Sequence, residues 1–351
     1  MRKLKLAIVG CGAVAEFFHL PASKLTDKVE IAVLVDRVLP RAQELATRYN
    51  VPSVADDYQA IAGKVDAALV ALPNNLHAPV TIDLLRRGVH VLVEKPMAFS
   101  IAECDEMITS AREANMTLAV GLVRRFYDSS QGVKGIIESG ILGRITSFDL
   151  REGGVYRWAV ATDAPFRRDI SGGGALADTG AHTLDLLLWW LGDYETVDYY
   201  DDAMGGVEAD CEIHLRMRGG VTGIVELSRT RKLRNTFIIR GERGALEIEN
   251  EYDPQVSLTI KGQDFLLAGR VAPRVKEVER ITHNGWPVFD AFRRQFDDFA
   301  DAVLSRRPPF IPGEEGRGAV ELIETCYRTK RLLQLPWMTT SAAMVAEEAL
   351  T

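Results

Sequence analysis

Cysteine is scarce: four in 351 residues, with no Cys-x-x-Cys pair and no cluster with any of the six histidines. That leaves no framework for disulfides or a structural metal, so no metal is expected. Cys11, Cys104, Cys211 and Cys326 are expected to be free thiols in a reducing cytoplasm. Long apolar runs are also missing. The longest, Leu184 to Leu191, is interrupted by Asp185 and is less than half the ~20 residues a membrane span needs. The basic opening Met1 to Lys5 leads only into Leu6 to Val9 before Gly10, so no targeting segment is expected. Positive charge is in deficit, with 42 Lys and Arg against 49 Asp and Glu and a net charge of -7. Such a chain has no long-range attraction for phosphate backbones or anionic lipid, and neither a nucleic-acid nor a membrane partner is expected. There is no internal repeat and no low-complexity stretch.

What is present is ordinary globular material, 47% hydrophobic and 26% charged, over a length too great for one core. Two domains are expected. Short Val/Ile/Leu-rich runs, Lys5 to Val9, Glu30 to Val35, Asp66 to Leu72, His90 to Val93 and Thr117 to Val123, read as parallel strands covered on both faces. The helices between them have legible ends: Pro40 opens one, Gly88 closes another, and Ser100-Ile-Ala-Glu103 is a capping box before a helix to about Asn115. This predicts an α/β, doubly wound Rossmann domain over 1–123. From residue 124 the rhythm changes. A helix over Ser130 to Ser139 precedes extended segments at Ile145 to Arg151, Glu208 to Met217, Val221 to Ser228, Asn235 to Ile239 and Ala245 to Glu249. Hairpin turns at Gly219-Gly220 and Gly241 to Gly244 make this second sheet mainly antiparallel. Helices at Val288 to Leu304 and Glu314 to Leu335 follow, then about a dozen residues read as a partly ordered tail. The expected second domain, 124–351, is therefore α+β.

Three constellations carry chemistry. In the first, a strand runs through Gly10-Cys-Gly12-Ala13-Val14-Ala15 into a helix, the Gly-x-Gly-x-x-Ala arrangement that cradles a dinucleotide pyrophosphate. Asp36, at the end of the second strand, is placed to accept hydrogen bonds from ribose hydroxyls and to repel a 2′-phosphate. NAD is therefore preferred, while the adjacent Arg37 keeps NADP open. The second constellation lies at carboxyl ends of strands, where doubly wound folds bind ligands: Leu72-Pro73-Asn74, with His77 close behind, and Glu94-Lys95-Pro96. Lys95 there can polarise a reacting oxygen, whereas Asn74 and His77 suit cofactor contact or turn chemistry equally. The third is Gly172-Gly173-Gly174 leading to Asp178, His182 and Asp185, which fall within about 60° on a helical face. This is either a buried polar pair steadying the helix or an acid/base group oriented by a carboxylate. The three glycines suit phosphate binding or close backbone packing.

These motifs, in this order and over essentially the whole chain, resemble the Gfo/Idh/MocA family of nicotinamide-dependent oxidoreductases, which includes inositol dehydrogenases and glucose-fructose oxidoreductase. The resemblance implies hydride transfer between nicotinamide and a secondary alcohol or ketone of a sugar, sugar derivative or cyclitol. Lys95 takes the place of the family's active-site lysine, His182 of its catalytic histidine and Asp178 of the acidic partner. Val123-Arg124-Arg125-Phe-Tyr-Asp128 is similar to the Arg-Arg-Tyr-Asp stretch of inositol dehydrogenases with one extra aromatic residue, which implies substrate contact by Arg124 and Arg125. The open face of the second sheet is implied to join subunits in a homodimer or homotetramer. A substrate loop is expected around Tyr156, Trp158, Arg167, Arg168 and Asp169, and its arginines favour an anionic sugar. The neighbourhoods of His19, His90, His214, Trp189-Trp190 and Arg229 to Arg234 read as structural or solvated. Two alternatives stand beside this reading, a non-catalytic nicotinamide sensor on the same scaffold and an oxidoreductase for a non-sugar such as a dihydrodiol.

Overall fold

The computed structural model describes residues 2–158, 162–249, 255–270 and 289–334. They form two compact units. The first comprises the described residues of Met1–Phe126, Ala159–Thr162 and Glu277–Glu321, and the second those of Tyr127–Trp158, Asp163–Lys276 and Leu322–Thr351.

The first unit is built on strands β1 (Leu4–Val9), β2 (Val29–Val35), β3 (Ser53–Ala55), β4 (Ala67–Val70), β5 (His90–Glu94) and β6 (Leu118–Gly121). All neighbouring pairs are parallel, in the order β3-β2-β1-β4-β5-β6 of a dinucleotide-binding doubly wound sheet. Every residue of β4 is buried, as expected for a strand covered on both faces. The crossovers carry α1 (Leu20–Ser23), α2 (Leu39–Tyr49), α3 (His77–Arg86) and α4 (Ile101–Ala114). Pro40 lies in the first turn of α2, and Ser100 and Glu103 close a reciprocal capping box on α4. Asn50 and Asn115, at φ 50° and 54°, end α2 and α4 in the left-handed conformation that Asn tolerates.

The second unit carries a nine-stranded sheet in the order β14-β13-β12-β11-β7-β10-β9-β8-β15. Its strands are β7 (Ile145–Gly153), β8 (Tyr194–Asp201), β9 (Asp210–Met217), β10 (Thr222–Ser228), β11 (Thr236–Gly241), β12 (Gly244–Glu249), β13 (Gln255–Ile260), β14 (Leu266–Arg270) and β15 (Lys330–Leu332). The β7–β10 and β15–β8 pairs are parallel and the others antiparallel. Alternation along the strands separates two faces. Phe148, Leu150, Ile213, Leu215, Val225 and Phe237 enter one core with Leu184, Leu187 and Trp190 of α7 (Ala181–Leu191) and Val133 of α5 (Asp128–Glu138). Residues of opposite phase carry ion pairs, Arg151 to Asp149 and to Glu226 at 2.8 and 2.7 Å.

Two expectations change. The final helix ends sooner: α8 (Phe289–Ser305) and α9 (Gly313–Arg328) form, but the chain then extends into β15 beside β8, where Leu332 is buried. The second difference concerns grouping along the chain. α8 and α9 as far as Glu321 pack with the first unit, through Phe18–Phe292 stacking at 5.3 Å and an Arg317–Asp105 pair at 2.6 Å. The expected tail lies outside the described residues. No helix among them is long and apolar enough to cross a membrane, no group of their His, Cys, Asp and Glu side chains could hold a metal ion, and all four cysteines are free and buried.

Candidate active site

The first unit's candidate site begins where β1 stops. Gly10 sits at φ +102°, and a Cβ there would lie 2.3 Å from the Ala71 carbonyl oxygen, so both conformation and space require glycine. At Gly12 a Cβ would meet nothing within 4 Å, leaving an open approach to the backbone. Ala13 and Val14 are half-buried and Ala15 is buried as the chain turns into its helix. Asp36 is clamped: Oδ2 accepts the Cys11 N–H and Oδ1 the Val38 N–H, each at 2.8 Å. Arg41, unremarked in the sequence, donates from Nε to the Cys11 carbonyl at 3.3 Å and pairs with Glu16 and Glu44. Arg37 is exposed. Burial, then the Asp36 charge, pushes the Cys11 thiol up to about 12, which makes it inert. An open glycine cradle at a helix start, with a fixed carboxylate at the end of β2, fits a nicotinamide dinucleotide.

The helix leaving this loop opens into a wide π turn over Ala15–His19 before α1. His19 is fully buried, with Nε2 2.7 Å from Glu94 Oε1 and its ring edge-on to Phe292 at 4.9 Å. Glu94 Oε2 accepts the Lys95 backbone N–H at 3.1 Å. Burial raises the Glu94 carboxyl, but the His19 hydrogen bond and charge, with Lys95, hold it below its ordinary value. His77 braces both strand-end loops, its Nε2 at 2.9 Å from Leu72 O and its Nδ1 at 2.8 Å from Pro96 O; burial lowers its pKa. A neutral ring can donate to only one of them. Lys95 and Asn74 are half-buried, Pro73 is exposed, and the Lys95–Pro96 peptide is cis. Arg124 is half-buried, whereas Arg125 is buried and donates to Glu315 of α9 at 2.9 Å.

In the second unit Gly172 ends α6 (Arg168–Ser171) in the left-handed conformation at φ 78°, while Gly173 and Gly174 serve packing. A Cβ on Gly173 would overlap the Tyr327 hydroxyl at 1.8 Å, and one on Gly174 the Glu208 carbonyl oxygen at 1.8 Å. Glu208 Oε1 accepts N–H groups of Gly174 and Leu176 at 2.9 and 2.8 Å and the Tyr327 O–H at 2.9 Å. Burial raises the Glu208 carboxyl above its ordinary value despite these donors. A second π turn, Leu176–Gly180, carries Asp178 and passes into α7, which carries His182 half-buried and Asp185 buried. Asp178 Oδ2 lies 2.7 Å from Arg229 Nη2, and the Arg229 guanidinium lies 4.7 Å over the Tyr156 ring. Tyr156 in turn meets Phe166 edge-on at 5.6 Å. Tyr156 thus joins Asp178, while Trp158 is exposed and Arg167 pairs with Asp169 at 2.7 Å. Arg168 lies over the Tyr327 ring at 5.0 Å. The structural readings of His90 and Trp190 agree with their surroundings: His90 Nδ1 accepts the Thr117 N–H and Trp190 joins the core. Arg229 is the exception in its charged stretch, with a side chain only 9% exposed.

Fold and loop together define a Rossmann-type dinucleotide-binding protein. Residues 4–122 match the family model described as "Oxidoreductase family, NAD-binding Rossmann fold", and residues 130–247 match the "GFO/IDH/MocA C-terminal domain". The chain belongs to the Gfo/Idh/MocA family. It is 36% identical over 194 residues to the D-glucoside 3-dehydrogenase of Escherichia coli, a match spanning 54% of either chain. Over 269 residues it is 27% identical to the trans-1,2-dihydrobenzene-1,2-diol dehydrogenase of Mus musculus, covering 74% of this chain and 78% of that one. The solved levoglucosan dehydrogenase in complex with NADH and levoglucosan superposes with a TM-score of 0.82 at 19% identity, covering 93% of this chain and 97% of that one. This last likeness speaks for the fold alone.

Proposed function

We propose that the protein is an NAD-dependent dehydrogenase, or the corresponding keto-reductase, for a neutral sugar, sugar derivative or cyclitol. The observation that carries this is the joint presence of Lys95, Asp178 and His182 in a chain whose first unit has the dinucleotide cradle. The loop Gly10 to Ala15, Asp36 and the bracing pair Leu72 and Pro96 around His77 would hold the cofactor. When bound, its nicotinamide supplies the hydride acceptor or donor. His182 takes the hydroxyl proton during oxidation and returns it during reduction, Asp178 orients the imidazole, and the Lys95 ammonium stabilises charge developing on the oxygen. NAD is favoured because both Asp36 oxygens are tied to backbone N–H groups, so the carboxylate does not swing aside for a 2′-phosphate.

The expected preference for an anionic sugar loses its support, because Arg167 has Asp169 beside it and Arg168 lies against Tyr327. Turnover of glucosides, anhydrosugars, cyclitols, uronates, sugar phosphates and dihydrodiols with NAD and NADP, followed at the nicotinamide absorbance, tests the reading. Reduction of NAD by a neutral polyol is the expected result; stoichiometric NADH binding without turnover across the panel indicates a sensor. A dihydrodiol substrate is the second reading, favoured by the similarity to the mouse enzyme. A reducing cytoplasmic setting is supported by the four free, buried thiols. Pairing of two copies through the charged face of the nine-stranded sheet, which bears Asp149, Arg151 and Glu226, is to be checked by light scattering on the purified protein.

A further inference from the structure

Arg229 immediately follows β10, whose parallel neighbour β7 leads towards Tyr156. Its backbone is fixed on both sides: its N–H donates to Ala209 O at 2.8 Å and its carbonyl accepts the Tyr156 N–H at 2.9 Å. The guanidinium, 9% exposed, lies over the Tyr156 ring and gives Nη2 to Asp178 Oδ2 at 2.7 Å. Its Nε is buried with no acceptor among the described residues. A cation so far removed from water needs a counter-charge, and the carboxylate that answers it stands on the segment leading into His182. Asp178 also sits on a π turn, where the regular i→i−4 hydrogen-bond ladder is interrupted, so an anchor from outside the helix has something to fix.

We infer that Arg229 is a positioning residue for Asp178: stacked on Tyr156, it fixes the carboxylate through Oδ2, and its own charge is thereby committed within the protein and does not bind an anionic substrate. The inference rests on the dehydrogenase reading for its catalytic consequence and on the ion pair alone for its structural one. The sequence gives no hint of it, because Arg229 and Asp178 are 51 residues apart and Arg229 opens a charged stretch.

The test compares Arg229→Met and Arg229→Lys with the parent enzyme on a neutral glycoside and on the matching uronate. On the neutral substrate, Arg229→Met is expected to lower kcat about 10–100-fold with KM little changed, the scale on which misplacement of a catalytic group acts, and Arg229→Lys is expected to recover part of the loss. Unchanged kcat on the neutral substrate, with KM raised selectively for the uronate, overturns the inference in favour of direct anion binding. If the parent turns over no substrate, the dehydrogenase reading fails, and the pair is judged by thermal unfolding of Arg229→Met, Asp178→Asn and the double variant. A double-variant loss clearly smaller than the two single losses together is the expected result; additive losses overturn the pairing.

Discussion

His19 Nε2 lies 2.7 Å from Glu94 Oε1, with both side chains buried, and this contact ties the helix leaving the dinucleotide loop to the residue before Lys95. The carboxylate is shared, because its other oxygen accepts the Lys95 backbone N–H. Gly121 of β6 makes room for it, since a Cβ there would come within 3.2 Å of the Glu94 carboxyl.

His19→Leu leaves that carboxylate buried without its partner, and a loss of about 3–5 kcal/mol is expected in urea unfolding at neutral pH. The sign of the pH dependence follows from the depressed Glu94 carboxyl. A carboxyl held below its unfolded value contributes stability above that value and loses it as pH falls through the folded one. The parent should therefore lose this contribution on acidification, and His19→Leu should show a shallower acid limb. Parallel acid limbs would show that the pair does not set the Glu94 ionisation.

Gly10 and Gly12 should fail differently. Gly10→Ala forces a Cβ against the Ala71 carbonyl oxygen at 2.3 Å and a side chain into φ +102°, so unfolding should move to markedly lower temperature, with backbone strain alone worth about 1–3 kcal/mol. Gly12→Ala meets nothing within 4 Å and should melt with the parent. Its methyl group nevertheless occupies the approach to the backbone, and NADH affinity measured by fluorescence should fall about tenfold or more. Equal NADH affinity for Gly12→Ala and the parent would remove the pyrophosphate from this loop.

The first unit was legible because strands such as Ala67–Val70 are buried throughout and read as unbroken apolar runs. β3 escaped because its three residues, Ser53–Ala55, are partly exposed at a sheet edge and bear no pattern. β8 escaped for a related reason: Glu195, Asp198 and Asp201 break up any apolar run around its one fully buried aromatic, Tyr199. The helical period of α9 ran on in the sequence into Lys330–Leu332, where pairing with β8 overrides local preference. At the candidate site, motifs local in sequence stood out, but partners did not. Glu94 is 75 residues from His19, and no local spacing rule links them. The open choice at Gly173 and Gly174 turns on residues distant along the chain, since Tyr327 and Glu208 occupy the space that side chains there would need.

Lys95→Ala and His182→Ala should each lower kcat on the best substrate by about 10²–10⁴-fold, the usual worth of a positioned proton-transfer or charge-stabilising group. NADH affinity and the unfolding midpoint should stay near the parent's, since Lys95 and His182 are both only half-buried. Near-normal turnover in either variant removes that residue from the proposed chemistry.

Glu208 offers a prediction of opposite pH sign. Its Oε1 gathers two N–H groups from the start of the segment bearing Asp178, together with the Tyr327 hydroxyl, while Oε2 is buried with no partner among the described residues. Burial raises this carboxyl, so its contribution to stability is complete below the unfolded value and is lost as pH rises through the folded one. Glu208→Gln keeps an oxygen for Gly174, Leu176 and Tyr327 but cannot ionise. Its unfolding temperature relative to the parent should therefore climb as pH rises above the ordinary carboxylate range, whatever the offset at the acid end. Glu208→Ala instead strands two buried N–H groups, at about 1–3 kcal/mol each, and should be destabilised across the whole range. If Glu208→Gln and the parent keep a constant gap over that rise, the carboxyl is ionised in the folded protein throughout and is not held above its ordinary value.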